Sequence, residues 1–165
     1  MTALFPLEIE TLARLLLDEA RARGWRITTA ESCTGGLVVG ALTDIAGSSD
    51  VVDRSFITYS NRAKTEMLGV PGDLIADMGA VSEPVARAMA EGALSQSNAH
   101  LSVAITGVAG PGGGTALKPV GLVHFATAAA NGPIRHREER FDLTDRTDIR
   151  LASVRVALEM LRDRL

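Results

Sequence analysis

Ile9, Leu12, Ala13, Leu16, Leu17 and Ala20 recur at intervals of three and four, the spacing that lines one face of an α-helix. The run closes at Gly24, a residue suited to the left-handed position just past a helix end. Arg26–Ala30 is short and β-branched, which predicts a strand. It runs through Glu31-Ser32-Cys33-Thr34-Gly35-Gly36 into a second apolar helix from about Leu37 to Ile45. Ser32 therefore sits on a strand-to-helix turn. Ala46–Asp50 has loop chemistry, Ser55–Tyr59 reads as a strand, and Asn61–Leu68 reads as a short helix with Asn61 as its N-cap. Tyr59 and Lys64 then bracket a strand end and the first turns of a helix. Pro71-Gly72 breaks the chain. Beyond Gly79, Ser82-Glu83-Pro84 opens a helix with a capping hydroxyl and an early proline, running to about Ser97.

Leu101–Ile105 is an apolar strand, followed by Thr106 and a glycine-rich loop, Gly107 to Gly114. Val120–Ala129 and Ile134–Phe141 flank the turn residues Ala130-Asn131-Gly132-Pro133, predicting an antiparallel hairpin. From Asp145 onward, Ile149, Val154, Leu158, Leu161 and Leu165 return to helical spacing. Helices before, between and after strands predict a three-layer α/β/α sandwich with a mixed β-sheet. No repeat or linker divides the chain, so residues 1–165 are expected to form a single domain. Ligands in such folds gather at the carboxyl ends of strands. The turns at Ser32 and Thr106 both follow strands directly and are expected to face one cleft.

Composition narrows the function classes. The 165 residues are 46% hydrophobic and 22% charged, which fits a chain with one core and argues against disorder. A net charge of −3 and an aromatic content of 4% supply neither the positive excess nor the stacking rings that nucleic-acid binding favours. The many arginines toward the C-terminus are interleaved with acids, which reads as an ion-paired, solvated face. No apolar run approaches the roughly 18 residues of a membrane span, and Met1–Pro6 lacks a basic leader region, so a cytoplasmic protein without membrane contact is expected. Cys33 is the only cysteine, which excludes an internal disulfide and a multi-thiolate zinc site. His100, His124 and His136 lack short metal-ligand spacing, although His124 and His136 can approach across the hairpin; no metal is expected.

Several residues carry chemistry. The glycine-rich loop has no Walker lysine, and the third position of its G-x-G-x-x-G register falls on Thr115. It reads either as a surface loop or as a set of backbone N–H groups offered to an anion. A serine at a helix N-terminus has backbone donors nearby for a tetrahedral oxyanion, and a desolvated lysine such as Lys64 can act as its base. Equally, serine serves as an N-cap and lysine as a solvated side chain. The nucleophile elbow G-x-S-x-G is not met, because Ala30 stands where its first glycine belongs. Cys33 is a rival nucleophile or an inert buried thiol. Glu31, Asp44 and Asp53 are acid–base candidates or capping and solvated carboxylates.

Thr29–Gly36, Ile57-Thr-Tyr-Ser-Asn61 with Lys64, Gly79-Ala-Val-Ser-Glu83, Ile105–Pro111 and Lys118-Pro-Val-Gly121 together resemble the C-terminal domain family of the competence/damage-inducible protein CinA, over nearly the whole chain. Members of that family are known as nicotinamide-nucleotide amidases, which convert nicotinamide mononucleotide and water to nicotinate mononucleotide and ammonia. The resemblance implies the same α/β/α layering, a small nucleotide as substrate, and no metal or organic cofactor. By position it implies Ser32 as nucleophile, Lys64 as base, Tyr59 as the group that orients the lysine, and Thr106 and Arg146 as further site members. The N–H groups from Cys33 through Thr34 and Gly35 to Gly36, assisted by Thr106, are expected to bind the oxyanion. The Gly110–Gly114 loop, with Gly112 and Gly113, or Arg146 is expected to hold the substrate phosphate, and Gly107 is a further substrate-binding or oxyanion candidate. Larger members carry an additional N-terminal domain, related to molybdopterin-binding folds and associated with pyrophosphatase activity, which residues 1–165 are not expected to include. Many relatives have Gly-Asp-Arg where this chain has Thr144-Asp145-Arg146, a change expected to alter how Arg146 is presented. A homo-oligomer is expected, since small enzymes of this kind commonly form symmetric assemblies. The alternative from another class is a nucleotide-sensing or scaffolding module that keeps the pocket without turnover.

Overall fold

A computed structural model describes residues 2–130 and 132–165. Six helices, α1 (Leu7–Arg23), α2 (Leu37–Thr43), α3 (Asn61–Leu68), α4 (Gly72–Met78), α5 (Glu83–Ser95) and α6 (Arg146–Arg162), surround five strands. The strands are β1 (Ile27–Glu31), β2 (Val52–Ile57), β3 (Leu101–Gly107), β4 (Leu122–Ala129) and β5 (Arg135–Arg140). They form one sheet in the order β2-β1-β3-β4-β5. β1 runs parallel to both β2 and β3, and β4 and β5 are antiparallel. The mixed three-layer sandwich read from the pattern is the observed one.

The two faces of the sheet are packed differently, and the sequence shows why. Ile27, Val103, Ile105, Val123 and Phe125 point toward α1, α2 and α6, whose Leu16, Leu17, Leu42, Ile149 and Leu158 fill the larger core. The alternate residues on the opposite face are small, among them Ala30, Ala104, Ala126 and Ala128, and they admit α5 with Ala86, Met89, Ala90 and Ala93. Close approach continues outward from α5 to α3. At Gly92 an added Cβ would lie 2.1 Å from the Leu68 carbonyl oxygen, a backbone atom that cannot swing aside. Gly92→Ala is therefore expected to destabilise the fold by roughly 2 kcal/mol through overpacking, read as a lowered midpoint of denaturant unfolding with an unchanged slope.

Local boundaries depart from the pattern at several points. The N-cap of α3 is Ser60, not Asn61: the chain leaves β2 extended through Ser60, whose hydroxyl accepts a hydrogen bond from the Ala63 N–H at 3.0 Å. Ser82 precedes α5, but its hydroxyl donates to the Gly79 carbonyl at 2.8 Å instead of capping the helix. α4 was not foreseen at all. Pro71-Gly72 starts this helix instead of merely breaking the chain, and with seven residues burying only Ile75 it carries no legible period. The hairpin of β4 and β5 forms as expected, and His124 Nδ1 and His136 Nε2 meet across it at 2.9 Å. Of its expected turn, Asn131 lies outside the described residues.

The topology brings three parallel strand ends together. β1 and β3 stay in register to Glu31 and Ile105, and the Ser32 N–H continues the ladder by donating to the Ile105 carbonyl at 2.9 Å. On the other side the Thr58 N–H donates to the Glu31 carbonyl at 2.9 Å. The chain leaves β1 for one neighbour and returns for the other, with helices on opposite faces. This is the switch point at which open α/β sheets bind their ligands.

Candidate active site

Glu31, the last residue of β1, organises the turn that follows. Its carboxylate is buried and accepts five hydrogen bonds: from the hydroxyls of Thr29 and Thr34 at 2.9 and 2.7 Å, and from the N–H groups of Gly36, Val38 and Val39 at 3.2, 2.9 and 3.0 Å. It thus caps α2 from five residues upstream, with negative charge at the positive end of the helix. Of the two roles read for Glu31, capping is the one its contacts describe. Gly35 and Gly36 turn the chain with φ of 55° and 100°, a region that favours glycine. The Gly35 N–H donates back to the Ser32 carbonyl at 3.1 Å. The N–H groups of Gly35 and Gly36 are therefore occupied and cannot serve an oxyanion as expected. Among the described residues, the N–H groups of Cys33 and Thr34 have no hydrogen-bond acceptor.

Ser32 is 9% exposed at the start of this turn, and Lys64, in the first turn of α3, is only 1% exposed. Lys64 Nζ lies 2.9 Å from Ser32 Oγ, 2.8 Å from the Thr58 carbonyl and 3.4 Å from the Tyr59 carbonyl. No carboxylate pairs with the amine among the described residues, and burial pushes its pKa down to about 8. A neutral amine has two hydrogens and one lone pair. The two carbonyls take the hydrogens, which leaves the lone pair for the Ser32 hydroxyl. The pair assembled from residues 32 positions apart has the geometry of a nucleophile and its base.

Cys33 is disfavoured as the rival nucleophile. Burial pushes its thiol up to about 12, so almost none is thiolate near neutrality.

The remaining expected residues divide. Ser32, Cys33, Tyr59, Lys64, Thr106, Gly107 and Arg146 line one cavity of about 250 Å³, together with Asn61, Ala80, Val81 and Ala109. Tyr59 does not orient Lys64 through its phenol. The backbone carbonyl makes that contact, while the ring is 65% exposed and its hydroxyl accepts from Arg146 Nη2 at 3.2 Å. The Thr106 hydroxyl donates to the Ala80 carbonyl at 2.9 Å, so its hydrogen is engaged and not free for an oxyanion. Gly110 accepts from Arg146 Nη1 at 2.6 Å through its carbonyl, while Gly112 and Gly113 are exposed; none of the three lines the cavity. Arg146 is the first residue of α6, after Asp145 caps the helix by accepting from the Asp148 N–H at 3.1 Å. Thr144 needs no left-handed backbone, so the missing glycine leaves Arg146 facing the cavity.

One contributor was not foreseen. Arg150, one helical turn beyond Arg146, donates from Nε to the Cys33 carbonyl at 3.0 Å and from Nη2 to the Thr34 carbonyl at 3.2 Å. Only its i, i+4 spacing from Arg146 could have hinted at a shared face.

The cavity, its buried lysine and the turn around Ser32 coincide with the motifs that carried the family resemblance. A model of the CinA C-terminal domain matches residues 9–165. The chain belongs to this family. This CinA domain is 48% identical over 154 residues to nicotinamide-nucleotide amidohydrolase PncC of Escherichia coli strain K12, covering 93% of each chain. It is 56% identical over 139 residues to a CinA-like protein of Mycobacterium sp. strain MCS, covering 84% of this chain and 33% of that one. The chain thus spans about a third of the length of such CinA-like relatives. Among solved structures, the competence/damage inducible protein CihA of Agrobacterium tumefaciens superposes with a TM-score of 0.96 at 57% identity, covering 98% of both chains. A CinA superfamily protein of Escherichia coli gives 0.90 at 35% identity, covering 99% of this chain and 95% of the other. No helix of the described residues is long and apolar enough to cross a membrane.

Proposed function

We propose that this CinA domain hydrolyses the carboxamide of nicotinamide mononucleotide, giving nicotinate mononucleotide and ammonia, through an acyl-Ser32 intermediate with Lys64 as base. The observation that carries the reading is the buried Lys64 amine, 2.9 Å from Ser32 Oγ, whose burial pushes its pKa down to about 8. The activity named for the Escherichia coli relative supports the substrate class.

Neutral Lys64 takes the Ser32 proton as Oγ attacks the carboxamide carbon. The tetrahedral oxyanion is received by the unengaged N–H groups of Cys33 and Thr34, and the lysine returns its proton to departing ammonia. Water, deprotonated by the same amine, then releases the acid. A cavity of about 250 Å³ suits the flat pyridine end of the substrate, with ribose and phosphate toward the mouth. At that mouth Arg146 has no carboxylate partner among the described residues, and with the Tyr59 hydroxyl it supplies a cation and a polar contact for phosphate.

Because the active form of Lys64 is the unprotonated one, kcat/KM is expected to rise through pH 8 and level above it. The same depressed pKa gives the stability a sign. Between about 8 and the ordinary lysine value of 10.5 the unfolded chain binds more protons than the folded one, so stability also rises with pH across that window. Ammonia release from nicotinamide mononucleotide, measured from pH 6 to 10 with chemistry rate-limiting, tests the first statement. A flat profile removes the lysine base, and calorimetric binding without any ammonia favours a nucleotide sensor.

A further inference from the structure

We propose that Arg150 is the positioning residue of the oxyanion site, holding the two backbone N–H groups that receive negative charge when Ser32 attacks. The inference rests on the amidase reading above and deepens it.

The arginines of α6 do two different things. Arg155 and Arg162 meet carboxylates, Glu8 and Glu159 for the one and Glu19 for the other. Arg150 is partly buried and has no carboxylate partner among the described residues; both of its hydrogen bonds go to the turn after β1. A solvated, ion-paired face was the expectation for this helix, and Arg150 departs from it.

What the guanidinium fixes follows from the planarity of the peptide bond. The carbonyl of one residue and the N–H of the next lie in one rigid unit and point in opposite directions. Holding the Cys33 carbonyl therefore fixes the Thr34 N–H, which faces away from Arg150. Holding the Thr34 carbonyl fixes the Gly35 N–H, which donates to the Ser32 carbonyl at 3.1 Å and so orients the Cys33 N–H. Arg150, together with the Leu37 N–H that donates to the Thr34 carbonyl at 3.0 Å, thus sets the Cys33 and Thr34 donors, and these are the two N–H groups of the turn that donate to no other described residue. Its positive charge on the carbonyl side also polarises the Cys33–Thr34 peptide, strengthening the N–H as a donor. Glu31 and Arg150 grip the turn from opposite ends, the carboxylate on N–H groups and the guanidinium on carbonyls. Gly35 fits between them, since a Cβ there would lie 3.1 Å from Arg150 Nη2.

The test compares wild type, Arg150→Met and Arg150→Lys in the ammonia assay, with nicotinamide mononucleotide affinity measured by calorimetry in a Ser32→Ala background. Loss of a complete oxyanion donor typically costs roughly a hundredfold to a thousandfold in kcat. Here both donors remain but loosen, so Arg150→Met is expected to lower kcat by roughly tenfold to a hundredfold. KM, affinity and the pH midpoint near 8 are expected to stay unchanged. Arg150→Lys, which replaces a two-nitrogen fork with one ammonium, is expected to recover part of the loss. An unchanged kcat in Arg150→Met, or a fall in affinity matching the fall in kcat, would overturn the positioning role. If Arg150→Met does not fold, as judged by circular dichroism, Arg150→Lys decides: lowered kcat at constant KM supports the role, and wild-type kcat removes it. Wild-type protein that releases no ammonia refutes the amidase reading and this inference with it, whereas an active wild type with an equally active Arg150→Met refutes the inference alone.

Discussion

Ser32→Ala is expected to reduce ammonia release from nicotinamide mononucleotide by roughly four to six orders of magnitude while leaving substrate binding nearly intact. In the proposed mechanism Ser32 is the nucleophile, because among the described residues its hydroxyl is the one that meets the Lys64 amine, at 2.9 Å. The neighbouring thiol of Cys33 is buried and held at about 12, so it cannot take over. The variant should fold normally. Lys64 keeps its contacts with the Thr58 and Tyr59 carbonyls, and removing one hydroxyl next to a 250 Å³ cavity leaves no isolated charge. Affinity should persist because Arg146 and the other residues that line the cavity are untouched. Calorimetry with the substrate, beside the ammonia assay on the same sample, separates the two effects. Undiminished turnover in Ser32→Ala would exclude an acyl-serine.

Periodicity revealed those parts of the fold whose burial is encoded locally. The faces of α1 and α6 were legible because one stripe of each meets a single large core, and the position of Ser32 was legible because a β-branched run stops at a glycine pair. α4 was hidden: seven residues complete barely two turns, and a starting proline reads equally as a break. Lys64 is visible as a residue near the start of a helix, but its burial is not, since that depends on its amine reaching Ser32 and Thr58, just past the ends of β1 and β2. Two of the four expected oxyanion donors, the Gly35 and Gly36 N–H groups, are engaged elsewhere for a related reason. Glycine-rich turns expose N–H groups in general, yet here Glu31 takes those of Gly36, Val38 and Val39. Sequence proximity pointed to a possible cap without showing how many donors the carboxylate occupies. Tyr59 is legible as a hydrogen-bonding neighbour of Lys64, but not which of its groups makes the contact: the carbonyl meets the amine and the phenol meets Arg146. Arg150, 117 positions from Cys33, shows in the sequence only through its i, i+4 spacing from Arg146.

The largest expected effect on stability follows from that carboxylate. Glu31→Gln preserves size and shape but replaces one oxygen by a donor and removes the charge. Oε1 accepts from Thr34, Gly36 and Val38, and Oε2 from Thr29 and Val39. If the amide oxygen takes the first position, its NH2 confronts the Val39 N–H; if it takes the second, the NH2 confronts those of Gly36 and Val38. Either way at least one buried or half-buried N–H at the start of α2 loses its acceptor, at about 1–3 kcal/mol. The charge that complements the α2 N-terminus is also lost, for up to about 2 kcal/mol in a partly buried setting. A total near 3 kcal/mol, at roughly 2–4 °C per kcal/mol for a chain of this size, lowers Tm by about 6–12 °C. Thermal unfolding of wild type and Glu31→Gln at neutral pH measures it. The turn that carries Ser32 should loosen in the same variant, so kcat is expected to fall at temperatures where the protein remains folded. An unchanged Tm would show that the turn is held by Arg150 and the strand ladder without the carboxylate.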